Sequence, residues 1–380
     1  MTIASSAGTA YVPGESQTFT VAIAPAQAKL FGFQMTARPD ANAVLGQAGD
    51  FSAGPQQIVL CDDGSPKPSG GCTVQTQTVE FVEHSSPQPG GLSNVTWTAP
   101  PSNAGTVTLY VAAVAADGDS SSLGDRVYTA QLTLCPVLLS GQPKPAIASV
   151  ASAGGFNANA GIAPGTWIEI YGSNLAAAAC SWQTADFNGA NAPTSLGGVS
   201  VTVGGKSAYV DYVSAGQVNA QVPDGIPIGP ATPVVVTNSG GSSAAFAVTT
   251  AVLAPALLAP AQAPFNVNGK QYVVATLADG SFDAIPSHPA KPGDVITLFG
   301  IGFGLPGAGM VAQQTATLSN VAFSLNETAA QTLYAGIAPG FVGLYQFNIQ
   351  LPNVTPGDYQ LKATVNGAAV NQTVYVAVGQ

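Results

Sequence analysis

Apolar and small polar residues alternate with a period of two along most of the chain, while the 3.6-residue period of a helix face is almost missing. Phe19, Val21 and Ile23 alternate with Thr18, Thr20 and Ala22. Val107, Leu109 and Val111 alternate with Thr106, Thr108 and Tyr110, and Val199, Val201 and Val203 with Ser200, Thr202 and Gly204. Successive side chains of a strand point to opposite faces, so each run predicts a strand with one apolar and one polar face. Pro and Gly break the runs about every ten residues, the spacing of short antiparallel strands in a sandwich.

Two stretches repeat one another. Pro164-Gly165 precedes WIEIYG, and Pro292-Gly293 precedes DVITLFG. At this offset of 128 residues Ile168 matches Ile296, Ile170 matches Leu298, Tyr171 matches Phe299 and Gly172 matches Gly300. Further on, Gln217, Asn219, Gln221 and Pro223 answer Gln346, Asn348, Gln350 and Pro352 at an offset of 129. Matches held over such a distance mean two copies of one β-domain. The alternating amides have two readings: a ligand-binding stripe, or groups that bond their neighbours and face water. The second is the more ordinary for an exposed strand face.

The chain has 380 residues, enough for two or three domains. The expected division is a β-sandwich over 1–136, a linker over 137–146, an immunoglobulin-like sandwich over 147–252, and its repeat over 253–380. The first connection, CPVLLSGQPKPA from Cys135 to Ala146, carries three prolines and reads as semi-rigid. The second, Ala251–Pro264, is apolar and reads as packed between domains.

Composition narrows the function. Charged residues are only 7% of the chain, against about 25% in ordinary domains. Nine Lys and Arg face nineteen Asp and Glu, a net charge of −10, so a nucleic-acid partner is not expected. No apolar run is long enough for a transmembrane helix. The first residues, MTIASSAGTAYVPG, lack the basic and apolar regions of a signal peptide, yet the body reads as extracellular or cell-surface. A leader missing from this chain is the expectation that joins the two observations.

The four cysteines are Cys61, Cys72, Cys135 and Cys180, which allow three pairings. Cys61 and Cys72 bracket a turn-rich loop, CDDGSPKPSGGC, that can fold back on itself. A local bond there leaves Cys135 and Cys180 to clamp the first domain to the second. The alternative is four unpaired thiols. A zinc site is not expected without a C-x2-C pair.

The repeated half resembles the uncharacterised C-terminal domain of secreted acidobacterial proteins, which looks like paired immunoglobulin-like modules of the IPT/TIG type. The resemblance is carried by IAPGTWIEIYGSNL (Ile162–Leu175), APTSLGGVSVTVGGKSAYVDYVSAGQVNAQVP (Ala192–Pro223), PAKPGDVITLFGIGFG (Pro289–Gly304) and AGIAPGFVGLYQFNIQLP (Ala335–Pro352). The segment CSWQTADFNGANAP departs from it by carrying Cys180. Residues 1–135 are similar to reeler-like or choice-of-anchor β-sandwich domains through YVPGESQTFTVAI, FGFQMTAR, EFVEHSS, WTAPP, LYVAAVAADGD and GDRVYT. Some relatives carry a haem-attachment C-x-x-C-H just before this domain. It is absent here, and the resemblance supplies no catalytic residues. Together these resemblances imply an all-β chain of three tandem sandwiches.

Candidate chemistry is sparse. The two histidines, His84 and His288, lie in different domains, so no triad or metal cluster can be assembled from the sequence. His84 is a candidate metal or haem ligand, but a hydrogen-bonded structural histidine is the plainer reading. Gly118-Asp119-Ser120 is similar to an esterase nucleophile block but reads as a turn. Asp62, Asp63, Asp117, Asp119 and Asp125 are candidate calcium oxygens or solvated turn residues. Glycosylation sequons stand at Asn94, Asn326, Asn353 and Asn371. Trp97, Trp167, Trp182, Tyr209 and Tyr212 are candidates for an aromatic platform that would hold a glycan.

The expectation is a secreted or cell-surface structural or adhesive protein rather than an enzyme. Its partners would be other proteins or copies of itself, paired through strand edges into a fibre or surface layer. A carbohydrate-binding accessory module and a haem-associated redox partner are the alternatives.

Overall fold

In the computed structural model the described residues are 1–25, 28–69, 71–72, 79–153, 161–189, 191–304 and 317–380. Among them the only helical pieces are two 3-10 turns, Asp40–Asn42 and Thr184–Asp186. No helix is long and apolar enough to cross a membrane. The chain is a series of three β-sandwich modules.

The first module pairs a four-stranded sheet with a six-stranded one. The smaller runs Thr2–Ser5, Ser16–Ala22, Leu92–Thr98, Asp50–Ser52. The larger runs Ala10–Tyr11, Arg126–Pro136, Val107–Ala116, Leu30–Pro39, Glu80–His84, Gln57–Cys61. Alternation puts Phe19, Val21, Val95, Met35, Leu109 and Val111 into one core. At its centre is Trp97, fully buried, with Tyr11 and Phe19 edge-on at 5.8 and 6.1 Å. Its indole N–H donates to Ala48 O at 2.8 Å, so the buried ring leaves no orphan donor. Gly49 beside it has φ +70°, and a Cβ there would stand 2.7 Å from the indole nitrogen, so no other residue fits.

The Cys61–Cys72 bond is formed, with Cα atoms 5.5 Å apart. The loop it closes turns back on the edge strand Gln57–Cys61: Lys67 N–H donates to Val59 O and Cys61 N–H to Ser65 O, both at 2.8 Å. Lys67 also pairs with the buried Glu80 at 3.0 Å and with Asp50. That sheet edge is therefore occupied by the module's own loop, one of the devices that stop chains from pairing edge to edge.

The second module sets Ala146–Ser152, Trp167–Ser173, Gln217–Gln221, Tyr209–Val213 and Cys180–Ser181 against a sheet built on Val199–Val203 and Gly229–Asn238. The third module follows the same plan, down to the register. Tyr209 opposes Gln221 and Tyr212 opposes Asn219 across a bulge at Asp211. Gln331 opposes Gln350 and Tyr334 opposes Asn348 across a bulge at Leu333. Trp167, Glu169 and Tyr171 face Gln221, Asn219 and Gln217 just as Val295, Thr297 and Phe299 face Gln350, Asn348 and Gln346. The repeat read from the sequence is thus a repeat of strand pairing.

One difference between the copies lies at an edge. In the second module Ala146–Ser152 is one strand beside Trp167–Ser173, with a bulge at Ala148. In the third, Ala256–Leu257 and Ala275–Thr276 share the corresponding position beside Val295–Ile301, split by the intervening chain.

Replacing both Cys61 and Cys72 by Ser is expected to lower unfolding stability by about 3 kcal/mol, the loop-closure value for a ring of this size. A urea titration followed by Trp97 emission in the double variant Trp167→Phe/Trp182→Phe background checks it.

Candidate functional site

The sheet face that turns away from the core of the second module gathers most of the sequence candidates. Ile168, Ile170, Val210, Val213, Val218 and Ala220 point inward. Their alternates, Trp167, Glu169, Tyr171, Tyr209, Tyr212, Gln217 and Asn219, form the outer face. Trp182 follows the edge strand Cys180–Ser181, and its N–H donates to Asp211 O at 2.8 Å. Trp182 meets Trp167 edge-on at 5.6 Å and Phe187 at 5.0 Å.

The amide stripe is largely satisfied from within. Gln217 Nε2 donates to Asn219 Oδ1 at 2.8 Å, and Gln346 Nε2 to Asn348 Oδ1 at 2.9 Å in the third module. The same bond in both copies is what a structural role requires. The acidic and aromatic groups behave differently. Glu169 and Asp211 stand where the third module has Thr297 and Leu333, and Trp167 and Tyr209 where it has Val295 and Gln331. Asp211 Oδ1 is buried without a hydrogen-bond partner among the described residues. Burial, helped by the nearby Glu169 charge, pushes its carboxyl up to about 6. Glu169 Oε2 accepts the Tyr171 hydroxyl at 2.8 Å. The second module thus carries a carboxyl pair among aromatic rings that its sister lacks.

Two of the five platform candidates need correction. Trp97 is a core residue, and its fully buried ring cannot meet a glycan. Its side chain shares the inward parity of Val95. Trp167 is half-buried and spends its indole N–H on Val342 O of the third module at 2.8 Å. It is part of a joint, leaving Trp182, Tyr209 and Tyr212 as the half-buried aromatics of the face.

That joint continues into the first module. The Cys135–Cys180 bond is formed, with Cα atoms 6.2 Å apart. Gln183 Nε2 donates to Thr133 O at 2.6 Å, Thr133 N–H returns to Gln183 Oε1 at 3.3 Å, and Thr9 Oγ1 donates to Asp186. Asn103 Nδ2 reaches Ala177 O at 2.8 Å. Residues 180–187 therefore hold the first module with a disulfide and hydrogen bonds, and reach the third through Trp182 and Trp167.

His84 lies half-buried at the end of Glu80–His84, with Nδ1 3.0 Å from Phe33 N, whose N–H it accepts in the tautomer protonated on Nε2. The ring sits over Gly32, where a Cβ would come within 2.9 Å of Nδ1. It continues the sheet ladder with a side chain. His288 is exposed in its loop, 3.3 Å from Ser287 Oγ. The acidic loops spend oxygens on their own turns: Asp63 accepts Ser65 N–H at 2.9 Å, Asp117 accepts Asp119 N–H at 3.1 Å, and Asp119 accepts Ser121 N–H at 2.7 Å. Among the described residues no three His, Cys, Asp or Glu side chains gather as a metal-holding group.

Residues 158–250 match the IPT/TIG domain family. Reeler domains are among the structural neighbours: the human F-spondin reeler domain shares 22% identity over 36% of this chain and 86% of its own, with a TM-score of 0.25. The SGBP-B protein of the Bacteroides ovatus mixed-linkage glucan utilization locus, solved with a mixed-linkage heptasaccharide, shares 14% identity over 87% of this chain and 63% of its own, with a TM-score of 0.30. The E. coli chaperone DraB shares 15% identity over 65% of this chain and 97% of its own, with a TM-score of 0.23. No curated protein matches the sequence. The class is an IPT/TIG-containing, multi-module β-sandwich protein whose two disulfides fit an extracellular compartment.

The raised Asp211 makes stability pH-dependent. Its penalty is absent while the folded and unfolded carboxyls are both protonated, grows from about pH 4 to 6, and is complete above that. Asp211→Asn is expected to remove this fall, on the order of 2–3 kcal/mol between pH 4 and 8. Melting temperatures of both proteins across that range check it.

Proposed function

We propose that this is an extracellular structural and adhesive protein that associates with its own copies by strand pairing. The observation that carries the reading is the edge strand Ala146–Ser152. At seven residues it is the longest strand at the end of a sheet among the described residues, and it holds no charge. Ala146, Ala148, Ser149 and Ala151 are exposed along it. Among the described residues its outer side has no strand partner, and although it is bulged at Ala148, such an edge offers backbone donors and acceptors to another chain. The edge at Gln57–Cys61 is covered by its loop, and the matching edge of the third module is broken in two.

Rigid joints support the same reading. A fixed order of modules presents the open edge in one orientation, so pairing would repeat in a regular direction. The double variant Ala148→Lys/Ala151→Lys is expected to turn a concentration-dependent assembly into a monomer with an unchanged melting temperature. Light scattering after size-exclusion reads the mass, and electron microscopy reads any filament. A wild-type protein that stays monomeric at high concentration rejects the proposal.

A second reading, glycan binding, is favoured by the Trp167 and Tyr209 rings and the Glu169 and Asp211 carboxyls, which the third module replaces by Val295, Gln331, Thr297 and Leu333. Tyr209→Ala, which removes a ring whose counterpart in the third module is Gln331, would then weaken retention on a glycan array about tenfold or more. Retention that survives the substitution rejects the outer face as the contact.

A further inference from the structure

The larger sheet of the first module carries a groove on its solvent side that is independent of the face described above. Its volume is about 500 Å³, within the usual range of about 300–1,000 Å³ for small-molecule sites. Gln34, Thr36, Phe81, Tyr110, Thr129 and Gln131 supply its outward-facing lining. The strand register arranges these groups in rows across the sheet. Gln131 opposes Tyr110, and Tyr110 opposes Thr36. Phe81 comes next in the antiparallel register that pairs Gln34 with Glu83 and Met35 with Val82. The neighbouring row is Thr129, Ala112, Gln34 and Glu83, with the short Ala112 side chain lowering its middle.

Three observations point to one ligand chemistry. Tyr110 and Phe81 stand two strands apart, about 10 Å at the ordinary strand spacing. Two rings at that distance can stack on sugar units one disaccharide apart along an extended chain. Tyr110 is 39% exposed, although the sheet has the apolar side of a core behind it. Between the rings lies Thr36, only 8% exposed, and its Oγ1 is buried with no hydrogen-bond partner among the described residues. A buried hydroxyl without a partner is costly unless something completes it. The remaining polar groups are neutral hydroxyls and carboxamides, while the one carboxylate of the neighbouring row, Glu83, already accepts Gln34 Nε2 at 2.9 Å. The Arg38 guanidinium lies over one face of the Phe81 ring, 5.5 Å from its centre, and is 9% exposed, so Tyr110 is the ring left open to a ligand.

We propose that this groove binds a neutral polysaccharide chain laid across the strands. Tyr110 stacks on one sugar face, Gln131, Thr129 and Gln34 bond ring hydroxyls, and Thr36 takes part from the floor. An anionic chain is disfavoured by Glu83 and the net charge of −10. The groove is open along its length, which suits an internal stretch of polymer more than a free monosaccharide.

Affinity electrophoresis of the whole chain through gels holding hydroxyethyl cellulose, galactomannan or arabinoxylan tests it. At least one polymer is expected to retard the wild type. Tyr110→Ala should weaken that binding about tenfold or more, as loss of a central aromatic contact does. Thr36→Val should weaken it about threefold to tenfold without lowering the melting temperature, because the isosteric methyl has no hydrogen bond to lose. Tyr212→Ala, on the second module, should leave it unchanged. No retardation by any of the three polymers overturns the proposal. Retardation that Tyr110→Ala or Thr36→Val leaves intact overturns it too, and loss of binding in Tyr212→Ala alone assigns the glycan to the second module instead.

Discussion

The structure depends on how one short segment, residues 180–187, is gripped from two sides. Cys180 is bonded to Cys135, a residue one position before the end of the last strand of the first module and buried in the core of the second. Gln183 and Asp186 bind Thr133 and Thr9, and Trp182 packs against the Trp167 that bonds the third module. Small sandwiches joined by flexible linkers move independently by default. Here a covalent bond, a reciprocal pair of amide hydrogen bonds and a two-indole contact replace that freedom. The connection 137–145 is held as well: Val137 N–H donates to Tyr11 O at 2.8 Å and Ser239 Oγ to Leu138 O at 2.5 Å.

Duplication gives the protein an internal control. Both copies keep the bulge, the amide pair and the register, which are the requirements of the sandwich itself. What one copy has alone is free of that explanation. By this comparison the single-strand edge Ala146–Ser152, the carboxyls of Glu169 and Asp211, and the tryptophan joint lie outside the folding plan that the two copies share. The central module is the one that bonds both of its neighbours.

Strand parity was readable from the residues because a buried face repeats every second position, and the repeat was readable because its spacing holds through two strands. The local disulfide followed from a loop able to fold back. Trp97 was misread by residue type: its place two positions after the inward Val95 already put it in the core. The groove of the first module was hidden for another reason. Tyr110 and Thr36 are far apart in the chain, and only the order of strands makes them neighbours. Asp211 was hidden by the bulge, which breaks the alternation on which parity depends. The occupied edge at Gln57–Cys61 likewise required the path of the loop, because composition does not say which strand a loop returns to.

The Cys135–Cys180 bond also decides where tension would run if the two ends of the chain were drawn apart. Force arriving at Cys135 crosses the sulfurs to Cys180 and bypasses the intervening stretch, which spans 45 positions. About 150 Å of extensible backbone is thereby taken out of the pulled path. The edge strand Ala146–Ser152 lies inside that slack segment. A protein anchored at one end and tugged at the other would keep this strand unstretched while its disulfide lasts, and reducing that bond would put the strand in line with the pull.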